Sequence, residues 1–254
     1  MKARMSRRLL IALLLSAPLL APGLCVRPLR VPFEDWRPYS FIDTNGRHTG
    51  LETELLAAVA GEAGCSVTYL RDVPRNRRLR MLAAGELDLL VAATPVPGPE
   101  AWYTRPYREE VYSAFMRPEA ARPEARSLEA LLSAKLRLLT HRGPLVDPII
   151  REFNARGQLT WFEDYAKGVQ LMQLGRGDVL LGDSLAIRHA AHAADLKLVE
   201  LPSLVSRSGV TYKLSRKSLT EGDLQAFNQA IQRLEASGEL QRIRNRWLPA
   251  VGLR

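Results

Sequence analysis

Residues 81–92, MLAAGELDLLVA, and residues 172–183, MQLGRGDVLLGD, carry the same device. A helical pattern runs into a glycine (Gly85, Gly175), and an aspartate three residues later (Asp88, Asp178) precedes an apolar run. Glycine ends a helix because it accepts the left-handed conformation there, and a short apolar run bounded by such a stop reads as a strand. Ahead of Gly85 the pattern is strand (29–31), helix, strand (67–70) and helix from Pro74. In the first of these helices Thr49 and Glu52 fit a capping box, and Leu51, Leu55, Leu56 and Val59 form one stripe. The run 87–93 reads as a central strand covered on both faces. Around Gly175 the order is strand (136–140), helix (145–154), strand (159–162), helix (165–174), strand (179–181) and helix (184–194). Alternating strands and helices imply parallel sheets with right-handed crossovers. The expectation is an α/β chain of two similar Rossmann-like lobes.

The polar connector RPEAARPEARS (117–127) separates the two units. After the second come a strand, GVTYKLS (209–215), and two helices, 220–237 and 239–247, parted by Gly238. With no third lobe to join, these helices are expected to return to the first. The chain then crosses between lobes twice, near Phe115 and near Ser203. Lobe 1 is read as residues 25–114 with 204–254, and lobe 2 as 115–203. Two crossings at one edge make a two-strand hinge, and hinged lobes close over a ligand.

The first 24 residues read differently. Lys2, Arg4, Arg7 and Arg8 precede an apolar run, Leu9 to Leu20, and then Ala21-Pro22-Gly23. This is the pattern of a secretory signal peptide, too short for a membrane span. Cleavage is expected near Gly23, with a cut after Cys25 as the alternative, and the destination is the periplasm. Removing four basic residues takes the formal charge of the 254-residue chain from +9 to +5. Such an excess, spread along an exported chain, reads as a solvated surface rather than a nucleic-acid interface. Cys25 and Cys65 are the only cysteines. Each lies shortly before a strand, so a disulfide forms if those strands are parallel neighbours; two buried thiols are the alternative.

In open α/β sheets ligands sit beyond the carboxyl ends of the strands. The loop from Thr94 to Tyr107, stiffened by prolines, leaves such an end. Phe41 and Tyr107 read as packing residues. The four histidines read as solvated, with His141 and Arg142 at a strand end as cleft candidates. No nucleophile elbow, P-loop or dinucleotide fingerprint is present, and no metal or organic cofactor is implied.

Five segments in order, RPYSFIDTNGRHTGLETELLAAVAGEAG (37–64), LRMLAAGELDLLVAATPV (79–96), YTRPY (103–107), LMQLGRGDVLLGDSLA (171–186) and FNQAIQRLEASGELQRIRNRW (227–247), resemble the landmarks of family 3 extracellular solute-binding proteins. The resemblance covers essentially the whole mature chain. It implies a type II periplasmic-binding fold, a small polar solute enclosed between the lobes, a monomer, and an ABC permease of the inner membrane as partner. It also implies site residues: Trp36 lidding the ligand, Arg75 facing it, Thr94 after the apolar strand, and Asp183 taking an ammonium. Asp183 also reads as a helix cap beside Ser184. Where the family carries an arginine that grips the ligand's carboxylate, this chain has Glu100 or, with a gap, Ala101. Where a small hydroxyl residue is expected after Gly143, it has Pro144 or Leu145. Neither restores bidentate guanidinium geometry, which argues against an ordinary α-amino acid; Arg75, Arg105 and Arg142 are the substitutes on offer. Cyclohexadienyl dehydratases share the fold class, with Glu163 or Asp164 as a possible acid, and an orphan sensory receptor is a third reading.

Overall fold

A computed structural model of the chain describes residues 25–96, 98–121, 126–142 and 147–247. The expected signal segment and Gly143, Pro144 and Leu145 lie outside these residues. Strand β1 (Leu29–Pro32) leads through a short hairpin, β2 (Phe41–Ile42) and β3 (His48–Thr49), to helix α1 (Leu51–Glu62). Strand β4 (Val67–Leu70) pairs parallel with β1, Leu29 opposite Val67, and Cys25 and Cys65 are joined by a disulfide at a Cα separation of 5.1 Å. Helix α2 (Arg75–Ala83), β5 (Leu89–Ala93), β6 (Ala101–Tyr103) and the long β7 (Arg108–Met116) follow.

The second lobe runs α3 (Leu128–Ser133), β8 (Leu138–His141), α4 (Pro148–Ala155), β9 (Leu159–Phe162), α5 (Tyr165–Gln173), β10 (Val179–Asp183) and α6 (Ser184–Ala193). Each of its helices is capped by a side chain at its N-terminus: Ser127, Asp147, Asp164 and Asp183 accept from the first turns of α3, α4, α5 and α6. The chain returns along β11 (Val199–Ser215), the longest strand described, to α7 (Glu221–Ala236), opened by a Thr220–Asp223 capping box, and α8 (Glu239–Trp247). Both final helices pack on α1, where Phe227, Ile231, Leu240 and Ile243 are buried with Leu55, Leu56 and Val59.

The curled mixed sheet runs β5-β11-β7-β10-β8-β9. β7 and β11 pair antiparallel with each other and with strands of both lobes, so one sheet threads the molecule. Separate cores flank the second half, Phe115, Leu180 and Ile187 on one face and Ala114, Val179 and Phe153 on the other.

Two expectations change. β5 is not a strand of a parallel ladder covered on both faces: it pairs antiparallel with β11, and only Leu89 of it is fully buried. Beside it β1 is joined through single bonds rather than a ladder, Asp88 N–H donating to the Arg30 carbonyl at 2.9 Å. Nor does Thr49 cap α1 through a capping box with Glu52. The preceding residue is Gly50, at φ 120°, and the leading amides of the helix donate to backbone carbonyls, Leu51 to Pro38 at 3.0 Å and Glu52 to Tyr39 at 2.8 Å. A Cβ on Gly50 would lie 2.3 Å from the Tyr39 carbonyl oxygen, so only glycine lets the 36–40 loop lie against the helix end. Among the described residues no helix is long and apolar enough to cross a membrane.

Candidate functional site

The 36–40 loop, seated on α1, aims Tyr39 at the second lobe. Its hydroxyl lies 2.9 and 2.7 Å from the two carboxylate oxygens of Asp183, the last residue of β10. Asp183 Oδ1 also accepts from Ala186 N–H at 2.7 Å, capping α6. Its own N–H donates to the Tyr165 hydroxyl at 2.9 Å. That approach needs Gly182, because a Cβ there would sit 2.7 Å from the Tyr165 ring. Asp183 is 3% exposed. Burial lifts its pKa above the ordinary carboxylate range, against the Ala186 amide, Tyr39 and Arg108, which favour its charge. Burial and then Asp183 raise the Tyr39 hydroxyl well above its usual value.

Beside this contact lies a buried ion pair. Glu52, 2% exposed, accepts from Arg108 Nε and, at 2.6 Å, from the Tyr107 hydroxyl. The Tyr107 hydroxyl in turn accepts from Ala92 N–H at 2.9 Å, and its ring stacks on Tyr212 at 3.9 Å. Ala92 holds a left-handed φ of 50°, a strained conformation for a residue with a Cβ. The Arg108 guanidinium stands 4.7 Å over the Tyr39 ring. Burial works against its charge, and Glu52 together with Tyr107, Tyr39 and Glu110 outweighs it, leaving the pKa raised. Glu110, two residues along β7, has its pKa raised by burial; Arg108 opposes this while Asp183 and Glu52 reinforce it.

Two cavities flank the contact. One, of about 800 Å³, is lined by Tyr39, Tyr107, Arg108, Leu185 and Arg188. The other, of about 530 Å³, is lined by Trp36, Arg75, His141, Tyr165 and His189. Trp36 stacks on Tyr39 at 4.2 Å. Arg75 is held at the rim by Glu34 at 2.6 Å. His141 stacks on Tyr165 and has Nε2 at 2.8 Å from the Glu163 carbonyl. Arg142 pairs with Glu163 at 2.7 Å, exposed. Arg105 is exposed and bonds Asn228 through its backbone N–H at 2.7 Å, while Thr94 is exposed at the end of β5; neither lines either cavity. Trp36 and Arg75 line the smaller cavity, while Asp183 meets Tyr39 and, like Thr94, Arg105 and Arg142, lines neither cavity. Two histidines are not simply solvated: His48 stacks on Tyr69, and His189 borders the smaller cavity with its pKa lowered by burial and by Arg37.

Sequence reading missed Glu52, Arg108 and Glu110. Glu52 reads as part of a capping box, and Arg108 and Glu110 belong to no motif. The only signal available was charge at alternate positions of a strand that must pass through the protein interior.

Comparison with curated proteins returns no match to the sequence. Among solved structures, a histidine kinase sensor domain with similarity to periplasmic binding proteins superposes at TM-score 0.71, 21% identical, covering 88% of this chain and 96% of that one. An ancestral amino acid-binding protein, a precursor of cyclohexadienyl dehydratase, gives 0.69 at 21% identity over 87% and 94%. An ArgBP variant from T. maritima gives 0.68 at 17% identity over 87% and 95%. At such identities these likenesses speak for the fold. The sequence pattern of the bacterial extracellular solute-binding proteins, family 3, matches residues 29–250, and the chain belongs to that family.

Proposed function

We propose that the chain is an exported receptor, not an enzyme, which closes its two lobes on a small polar solute and hands it to an inner-membrane ABC permease. The lobes are taken to divide at residues 114/115 and 203/204, inside the two strands that cross between them. One observation carries this reading: Asp183, a buried carboxylate at the end of a second-lobe strand, meets Tyr39 of the first lobe directly. A carboxylate so placed is costly unless a positive group or strong donors complete it. A solute cation fills that need and ties the lobes together, with Trp36 covering its apolar part. Arg75 at the rim, and Thr94, Arg105 and Arg142 beyond it, remain proposed contacts, and a monomer suffices for such a mechanism. Membership of an extracellular solute-binding family supports the export expected from the first 24 residues.

The test is a thermal-shift screen of the mature chain against amino acids, polyamines, opines, organic acids and cyclohexadienyl acids. A solute at 100 times its dissociation constant should add about 2.7 kcal/mol to folding stability. No shift with any class, or turnover of prephenate or arogenate, would displace the receptor reading.

A further inference from the structure

The class of solute follows from charges around Asp183, given the receptor reading above. Side chains alternate along a strand, so Arg108, Glu110 and Tyr112 share one face of β7. Asp183 registers opposite Tyr112 across the β10–β7 ladder and lies on that same face. Glu52 reaches Arg108 from α1. Three carboxylates thus surround one guanidinium. Glu52 neutralises Arg108, which leaves Asp183 and Glu110, and the Glu110 carboxylate has neither a hydrogen bond nor an ion pair among the described residues.

An independent feature calls for a ligand atom. Arg108 is 5% exposed and lines the larger cavity. Its Nε is engaged by Glu52 and its Nη1 by the Glu109 carbonyl at 3.0 Å, but Nη2 is buried without a partner among the described residues. Native proteins rarely leave such a donor unsatisfied. An acceptor oxygen on the solute completes it. Delivered as a carboxylate, that oxygen brings one more negative charge beside Glu52, Glu110 and Asp183; delivered as an amide or hydroxyl, it does not.

We infer that the solute is a small organic amine whose acceptor oxygen is uncharged, an amide or hydroxyl in place of the carboxylate of an amino acid. Its cation faces Asp183 and Glu110, and its neutral oxygen meets Arg108. Glu110 is the specificity-determining residue, because its charge repels a zwitterion's carboxylate as well as attracting the amine.

Calorimetric titration of the mature chain with matched series tests this: L-arginine, L-argininamide and L-argininol, and the same trio built on lysine, serine and phenylalanine. In at least one series the amide or alcohol should bind at least about tenfold tighter than the parent acid, the order set by one hydrogen bond to a charged group. Glu110→Gln should shrink that preference by about tenfold on the same grounds. Should that variant fail to fold, raising the salt concentration on the wild-type chain should shrink the preference instead. Parent acids binding as tightly as their amides in every series would overturn the inference and leave the receptor reading standing. So would silence from every series while another solute class binds. Silence from every solute class would remove both.

Discussion

At the scale of single residues the molecule holds two kinds of buried charge, and they predict different mutational behaviour. Glu52 and Arg108 complete each other, so Glu52→Ala strands a guanidinium in the interior. The expected loss is about 3–5 kcal/mol in denaturant unfolding. Tyr39 and Asp183 are a looser match, a neutral donor placed where a cation fits better. Tyr39→Phe should therefore cost only about 1–2 kcal/mol, and it should strengthen solute binding, since the solute no longer displaces a hydroxyl. Weaker binding in that variant would show Tyr39 to be a ligand contact rather than a competitor. Proton linkage follows with a definite sign. The folded-state pKa values of Asp183 and Glu110 are raised, so their contribution to stability is fully present below the unfolded value and is lost as pH rises through the folded one. The charged groups facing them are Arg108 and Glu52, with the hydroxyls of Tyr39, Tyr112 and Tyr165 around them. A bound cation favours the ionised carboxylates, so binding should tighten as pH rises towards their raised values, with release of protons. Titrations in two buffers of different ionisation enthalpy measure that release, and proton uptake would contradict it.

The repeated Gly-x-x-Asp element has the same physical content in both lobes. Asp88 accepts from the Arg30 backbone N–H at 2.7 Å and from its side chain; Asp178 accepts from the Arg137 backbone N–H at 2.8 Å and from its side chain. Each aspartate thus locks the start of its strand to the neighbouring parallel chain segment, and the preceding glycines, at φ 74° and 65°, make the turn that brings it there. Asp88 differs in taking a second guanidinium, Arg27, and in having no exposed side-chain surface, whereas Asp178 is 26% exposed. Asp88→Ala should cost about 2–3 kcal/mol by the worth of charged hydrogen bonds, and Asp178→Ala clearly less. Equal losses in urea unfolding would show the two clamps to be equivalent. The disulfide closes a separation of 40 residues, and replacing both cysteines with serine should remove about 3–4 kcal/mol in the chain-entropy model. The repeated turn was legible in the sequence because its glycine and aspartate lie within four residues, whereas the arginine each aspartate holds lies 58 or 41 residues away. The start of α1 was not. Thr49 and Glu52 have capping-box spacing, yet the caps are the carbonyls of Pro38 and Tyr39, backbone groups that no residue pattern announces.

For the molecule as a whole, most of the element order could be read from hydrophobic periodicity, and the return of the last two helices to the first lobe from the lack of a third lobe to join. Of the candidate site, Asp183 and Trp36 were named through the family resemblance, and they stand at the end of β10 and in the loop after β1. Glu52 and Arg108 were hidden because they meet across 56 residues, and their partnership depends on how the crossing strands pack against α1. In the assembled molecule the antiparallel pair β7–β11 joins both lobes, and Tyr39 and Asp183 form a direct contact between them. The central claim is that a solute cation takes its place at Asp183, and Asp183→Asn isolates it. Asparagine caps a helix as well as aspartate does and still accepts from Tyr39, so fold and closure survive while the charge is lost. Thermal-shift titration of wild type and Asp183→Asn with the solute that most stabilises the wild type is the deciding measurement. The account predicts a rise for the wild type and almost none for the variant; equal stabilisation of both would contradict it.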